Sequence, residues 1–191
     1  MLVANTCAAD FLQKNKAPCL YRVHEPPSQD RLEKARATLA PFGVTLPGGD
    51  SPTPGDYAKV LESIADRPDK AMIQTILLRS MQQAVYSPHN VGHFGLAYDA
   101  YTHFTSPIRR YPDLLVHRAI RGILRRRKYV PKILVEPNEA DVPVQTREII
   151  CKAKPDDKKK VAHIDLWEKL GLLCSAHERR ACLLYTSPSP R

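Results

Sequence analysis

The sequence predicts an α+β fold, mainly helical with a few short strands, and three observations predict it. Apolar residues recur at helical spacing over much of the chain, as in Met72, Ile73, Ile76, Leu77, Met81 and Val85. Two short apolar, aromatic runs, residues 19–24 and 93–98, have strand character instead. Finally, 17 prolines stand against 8 glycines, which indicates stiff turns between helices.

Taken in order, residues 2–13 read as the end of a helix and 19–24 as a strand. Ser28 can cap a helix whose Leu32, Ala35 and Leu39 face inward and which Gly43 stops. Residues 47–55 form a Pro/Gly loop. Asp56 can cap a short helix to Ala65, and Pro68 begins the amphipathic helix that holds the two methionines Met72 and Met81, both read as core. Residues 93–98 are expected to form a buried strand. Thr105 or Ser106 then caps a helix with Pro107 at its first position, and Pro112, soon after, forces that helix to kink or restart. Leu115, Ile120, Ile123 and Leu124 resume helical spacing. Residues 129–160 lose periodicity and read as an insert or a loop with one or two short strands. Residues 164–173 form a helix and 174–181 start another.

Charge is distributed very unevenly. Between Tyr101 and Val135 nine basic residues face the single acid Asp113, so this segment carries +8 of the chain's formal +9. Such a concentration attracts a polyanion, and the run Arg125-Arg126-Arg127-Lys128 is expected to make salt-sensitive, sequence-independent contacts. A helix C-terminus, whose dipole favours cations, also accounts for that run. Arg109 and Arg110 at a helix start would add two guanidiniums to unpaired backbone N–H groups and form a phosphate-binding corner. Arginine suits that place because its planar fork takes two phosphate oxygens at once.

Several classes are disfavoured. No run of eighteen apolar residues is present, so no membrane span is expected, and the N-terminus lacks the pattern of a secretory signal, which leaves the cytoplasm as default. The five cysteines are odd in number, scattered and without a CxxC, against a disulfide framework or zinc site. His89 and His93 have helical ligand spacing, but Pro88 and Gly92 argue against a helix there. The adjacent Asp156-Asp157 precedes three lysines and reads as a charged loop, so no metal ligand is assigned in this chain. His103 and His117 can donate to phosphate or fill structural roles.

The run HFGLAYDAYTHFTSPIRRYPDLLVHRAI resembles the terminal signature of the RNB catalytic domain of the ribonuclease II and ribonuclease R exoribonucleases, with SPIRRYPDL nearest the bacterial ribonuclease R branch. MLVANTCAADFL, LYRVHEPPS, YAKVLESIADRPDKAMIQTILLRSMQQAVYSP and CSAHERRA extend the resemblance over about residues 1–181. The resemblance implies a monomeric, Mg²⁺-dependent enzyme that hydrolyses single-stranded RNA processively from its 3′ end to nucleoside 5′-monophosphates. By motif it places Arg109 on the scissile phosphate, stabilising transition-state charge, with Thr105, Ser106, Arg110, Tyr111, His117 and Arg118 shaping the channel or touching RNA. Asp113 would hold an arginine in place.

The family's metal-binding aspartates cluster after a glycine in an earlier segment, and no such cluster occurs here. Residues 1–127 are therefore expected to be the C-terminal part of an RNB catalytic domain, with Met1 internal to a longer protein. Residues 128–181 would be a charged loop and terminal helices, either of the same domain or of its connection to an OB-fold RNA-binding domain, and 182–191 a non-native tail. A fragment so composed would hold only the arginine half of the active site and be inactive alone. The competing class is a non-catalytic RNA-binding module that uses the basic helix 106–128 without hydrolysis.

Overall fold

A computed structural model describes residues 1–134, 136–152 and 163–186 of the 191-residue chain, and the Asp156-Asp157 pair with the lysines after it lies outside the described residues. In chain order the elements are α1 (Leu2–Lys14), β1 (Tyr21–Val23), α2 (Gln29–Leu39), α3 (Pro54–Ser63), α4 (Lys70–Ser80), β2 (Val85–Ser87), α5 (Tyr111–Leu124), α6 (Val144–Lys152) and α7 (Ile164–Thr186). Single 3₁₀ turns lie at Ala40–Phe42, Phe94–Leu96 and Glu139–Asp141. The fold is thus mainly helical with one small antiparallel sheet, as the sequence predicts. The chain divides into two packing units, residues 1–23, 85–92 and 99–191 in the first and 24–84 with 93–98 in the second.

In the first unit, β1 pairs with β2 in the register Tyr21↔Ser87, Arg22↔Tyr86 and Val23↔Val85. Side chains alternate across such a ribbon, so its two faces meet different partners. Tyr21, Val23 and Val85 pack with Ala8, Leu12 and Val116 of α1 and α5. Leu20 and Tyr86 pack instead with Leu115 of α5 and with Trp167, Leu170 and Cys174 of α7. Helix α7 lies close against β2 because Gly171 permits it: a Cβ there would meet the Tyr86 carbonyl oxygen at 2.9 Å. One turn on, Ser175 Oγ accepts from the Tyr86 N–H at 3.0 Å. His89 and Glu168 form a further bond between the segment after β2 and α7, 2.7 Å long, with the two side chains 10% and 12% exposed.

In the second unit, Leu32 and Leu39 of α2, Tyr57 and Val60 of α3, and Ile73 and Leu77 of α4 form a separate core. The Tyr57 hydroxyl and Ser80 Oγ, 2.9 Å apart, satisfy each other inside it.

Several expectations are corrected. Residues 93–98 are not a strand: they form a loop closed by the His93 N–H to Tyr98 carbonyl bond at 2.8 Å around the 3₁₀ turn. Gly95 and the left-handed Ala97 (φ 54°) break the extension. The cap of α3 is Thr53, not Asp56, because Pro54 takes the first helical position; Asp56 sits three residues in and completes a reciprocal capping box. The Thr53 backbone N–H holds the Asp56 carboxyl below its usual range. Met72 is exposed and Val85 belongs to β2, so the inward face of α4 is narrower than predicted. Among the described residues of 129–160 there is no strand but the helix α6, whose inward face is only Thr146 and Ile149. The predicted break between residues 173 and 174 is absent: residues 164–181 belong to one helix, α7, which continues to Thr186, with no glycine or proline at 173–174 to interrupt it.

Cys19 and Cys174 are buried and burial pushes each thiol up to about 12. Native protein is therefore expected to react with a thiol reagent at the exposed Cys7, Cys151 and Cys182 only, and at Cys19 and Cys174 only after unfolding. Because the folded values lie above the ordinary 9.0, the stability from keeping these thiols neutral is complete below pH 9 and is lost as pH rises towards about 12. Titration of thiols with and without denaturant checks the first statement, and melting across that alkaline window checks the second.

Candidate nucleic-acid interface

The site grows from the sheet. Arg22 and Tyr86 are register partners, so they share one face, and the Arg22 guanidinium carbon stands 4.6 Å from the centre of the Tyr86 ring. Arg22 is 14% exposed and is ion-paired with Glu178 of α7. Burial pushes the Tyr86 hydroxyl above its ordinary range, and that hydroxyl is hydrogen-bonded to His103 Nδ1 at 2.9 Å.

The segment carrying His103 is fixed along its length. The Arg22 N–H donates to the Tyr101 carbonyl at 2.8 Å, Thr102 Oγ1 donates to the Leu20 carbonyl at 2.7 Å, and buried Asn5 bonds both the Tyr101 hydroxyl and the Phe104 N–H. This anchored strip delivers the chain to Thr105, Ser106 and the two arginines.

The predicted helix start at Pro107 is corrected here. Residues 107–109 form a turn, Arg110 is the N-cap with an extended backbone (φ −127°, ψ 120°), and α5 begins at Tyr111 with Pro112 in its first turn. In a helix running on from Pro107, the Pro112 ring would strike the Ile108 carbonyl and leave it without a donor. Restarting the helix moves Pro112 to a place where no N–H is needed. The Ser106 carbonyl accepts from the N–H groups of Arg109 (3.3 Å) and Arg110 (3.1 Å), which closes the turn.

Asp113 holds this turn from inside. It is fully buried in the first turn of α5, and its Oδ2 accepts from the Ser106 N–H and from an Arg110 guanidinium nitrogen, both at 2.8 Å. The carboxylate also sits at the favourable end of the helix dipole. Arg110 is thereby fixed, with its side chain 23% exposed. Arg109 is exposed and has no acidic partner among the described residues.

A cleft of about 550 Å³ opens beside these groups, lined by Tyr86, Arg109, Arg110 and Tyr111 on one side and by Cys174, His177 and Glu178 of α7 on the other. Of the residues that the sequence singled out, the structure brings Arg109, Arg110 and Tyr111 into this cleft, and ties Ser106 to it through Asp113. Thr105 is half-buried in the strip that precedes the turn. His117 and Arg118 do not line it. His117 stacks on Phe104, ring centres 4.2 Å apart, and its Nε2 is bonded to the Phe104 carbonyl. Arg118 donates to the Tyr129 hydroxyl at 3.4 Å, which raises the affinity of its guanidinium for its proton.

Sequence reasoning missed Arg22, Tyr86, His177 and Glu178 as part of the site. The signal for the last two was present in CSAHERRA, and for the first two in the alternation of apolar and polar positions in residues 19–24. Among the described residues, no group of three His, Cys, Asp or Glu side chains is placed to hold a metal ion. These residues do not fit a magnesium site, and on one side of the cleft stands the exposed Arg109, whose guanidinium donors suit an anion. No helix among them is long and apolar enough to cross a membrane.

Residues 1–126 match the family model of the RNB domain. Over 126 residues, 66% of this chain and 16% of the relative, the sequence is 57% identical to ribonuclease R of Escherichia coli. Over 182 residues, 95% of this chain and 21% of the relative, it is 45% identical to ribonuclease R of Buchnera aphidicola from Schizaphis graminum. The chain thus spans about a fifth of the length of these curated relatives. Among solved structures, the apo form of Mycoplasma genitalium RNase R superposes with a TM-score of 0.68 at 27% identity, over 97% of this chain and 25% of that one. RNase R of the same organism in complex with ribose-methylated single-stranded RNA gives a TM-score of 0.62 at 27% identity, over 96% of this chain and 26% of that one.

Proposed function

This chain belongs to the RNB domain family, and we propose that it is the phosphate-holding part of a ribonuclease R-type exoribonuclease. The observation that carries the reading is the cleft at the start of α5, where an exposed Arg109 stands beside an Arg110 locked onto buried Asp113. In this reading single-stranded RNA enters with its 3′ end at the cleft. Water attacks the phosphorus of the terminal linkage, the bond to the 3′ oxygen of the preceding nucleotide breaks, and a nucleoside 5′-monophosphate leaves. Processive, monomeric action on RNA follows from the same reading.

Arg109 is the residue left with unused donors, and its role is to bond the non-bridging phosphate oxygens as negative charge grows on them. Arg110 is held by Asp113 and sets the position of the turn, with Ser106 fixed by the same carboxylate. Tyr111 lines the passage, and Thr105, His117 and Arg118 support or flank the path of the RNA. Magnesium, which the family resemblance implies, is assigned to the relatives' remaining length and not to the residues described here.

The test is a graft: residues 1–126 replace the matching 126 residues of the E. coli ribonuclease R, and release of mononucleotides from end-labelled single-stranded RNA is followed. Retained 3′-to-5′ degradation is expected. A graft that folds and binds RNA but cuts none would overturn the catalytic reading in favour of a non-catalytic RNA-binding module. The chain itself is expected to bind RNA with a steep salt dependence, log Kd rising by about 0.7 per phosphate contact for each decade of salt. A flat response would contradict phosphate contacts altogether.

A further inference from the structure

Helices α1 and α5 end in the same unusual way. After α1, the Lys16 N–H donates to the Gln13 carbonyl at 2.9 Å and the Ala17 N–H to the Leu12 carbonyl at 3.0 Å. After α5, the Arg126 N–H donates to the Ile123 carbonyl and the Arg127 N–H to the Gly122 carbonyl, both at 2.9 Å. These are paired Schellman caps, whose left-handed position is ordinarily glycine because a Cβ is strained there. Here that position holds Lys16 (φ 49°) and Arg126 (φ 52°). His163, immediately before α7, is also left-handed (φ 60°).

All three line a single cavity of about 340 Å³, together with Arg127, Lys128 and Tyr129, and among the described residues no Asp or Glu lines it. A cation in the last turn of a helix offsets the dipole, which accounts for a residue such as Arg125. It does not account for two caps, each a cation in place of the glycine that would stabilise it, meeting around one hollow with a third left-handed residue. Retained strain of this kind marks a site.

We propose that this cavity binds a backbone phosphate of RNA, a second point of attachment remote from the Arg109 cleft. The proposal rests on the reading of the chain as an RNA-handling protein. The cleft lies at the first turn of α5 and the cavity at its last, so a helix of 14 residues, about 20 Å long, separates them. Lys16, Arg126, Arg127, Lys128 and the His163 imidazole bring donors to the cavity, and Ala119 and Ile123 of α5 add an apolar wall that weakens competition from water.

The test uses Lys16→Gly, Arg126→Gly and the double variant in the full chain, with fluorescence anisotropy of a labelled polyadenylate of about 15 nucleotides as the readout at several salt concentrations, and melting in parallel. Glycine relieves the backbone strain, so melting temperatures are expected to stay level or rise. RNA affinity is expected to fall about fivefold for each variant and more than tenfold for the pair, with the salt slope reduced by about 0.7 per cation removed. Variants that bind RNA with unchanged affinity and slope, while the unaltered chain binds it well, overturn the cavity site alone. An unaltered chain that binds no RNA overturns this site and the functional reading together. If a polyglutamate peptide binds and the glycine variants abolish only that binding, the cavity belongs to an acidic protein segment and the RNA assignment fails.

Discussion

Arg109→Ala is expected to lower turnover by about two to three orders of magnitude while leaving RNA affinity nearly unchanged. The expectation follows from where the side chain stands. Arg109 is exposed at the rim of the cleft and has no carboxylate partner among the described residues, so its donors are available to an arriving phosphate. In the proposed reading RNA would be held along many phosphates, so that losing one contact in the ground state changes affinity little. A bond that strengthens as charge builds on the phosphate oxygens acts on the barrier instead, and the predicted loss corresponds to about 2.7–4 kcal/mol of transition-state stabilisation. Mononucleotide release by the E. coli graft, measured against Kd for the same RNA, separates the two. Equal loss of affinity and turnover would contradict the role.

Asp113→Ala is expected to destabilise the fold by about 3 kcal/mol, seen as a fall in melting temperature of roughly 6–12 °C for a chain of this size. One buried oxygen of Asp113 satisfies both the Ser106 N–H and the Arg110 guanidinium, and its loss strands the two donors at once. Among the described residues the other oxygen of Asp113 and Arg110 Nε have no hydrogen-bond partner, so the Oδ2 contacts are the ones that offset the burial of this charge. Truncation leaves the arginine uncompensated, though its 23% exposure lets water recover part of the cost. Asp113→Asn keeps an acceptor for Ser106 and should fall between the two. A shift in melting temperature below about 2 °C for Asp113→Ala would show that the turn does not depend on this carboxylate.

Much of this was legible in the residues. The charge excess between Tyr101 and Val135, the restart forced by Pro112 and the pairing role of Asp113 are local consequences of side-chain chemistry. Strand alternation and helical spacing also located β1, α1, α2 and most of α4. What the sequence hid was long-range. Arg22 and Glu178 are 156 positions apart, and only the antiparallel register of β1 with β2 and the packing of α7 bring them together. Residues 93–98 have strand composition, yet a bond across the loop and left-handed Ala97 override propensity. The close approach of Gly171 to the Tyr86 carbonyl was hidden as well, because spacing along a helix does not show which neighbouring strand it meets. His117 and Arg118 carry donors suited to RNA, and the contacts of one with Phe104 and of the other with Tyr129 could not be read from the sequence.

The cleft and the cavity at the two ends of α5 make different demands on a test. The cavity concerns affinity and can be read from binding alone. The role proposed for the cleft concerns a single phosphate at the moment its bond breaks. Its most direct measurement is single-turnover cleavage by the graft of RNA bearing one sulfur in place of a non-bridging oxygen at the terminal linkage, with and without Arg109→Ala. If Arg109 bonds that oxygen in the transition state, sulfur slows the unaltered graft more than the variant, because the two changes remove the same interaction and are not additive. An identical sulfur effect in both proteins would contradict the assignment of Arg109 to the scissile phosphate.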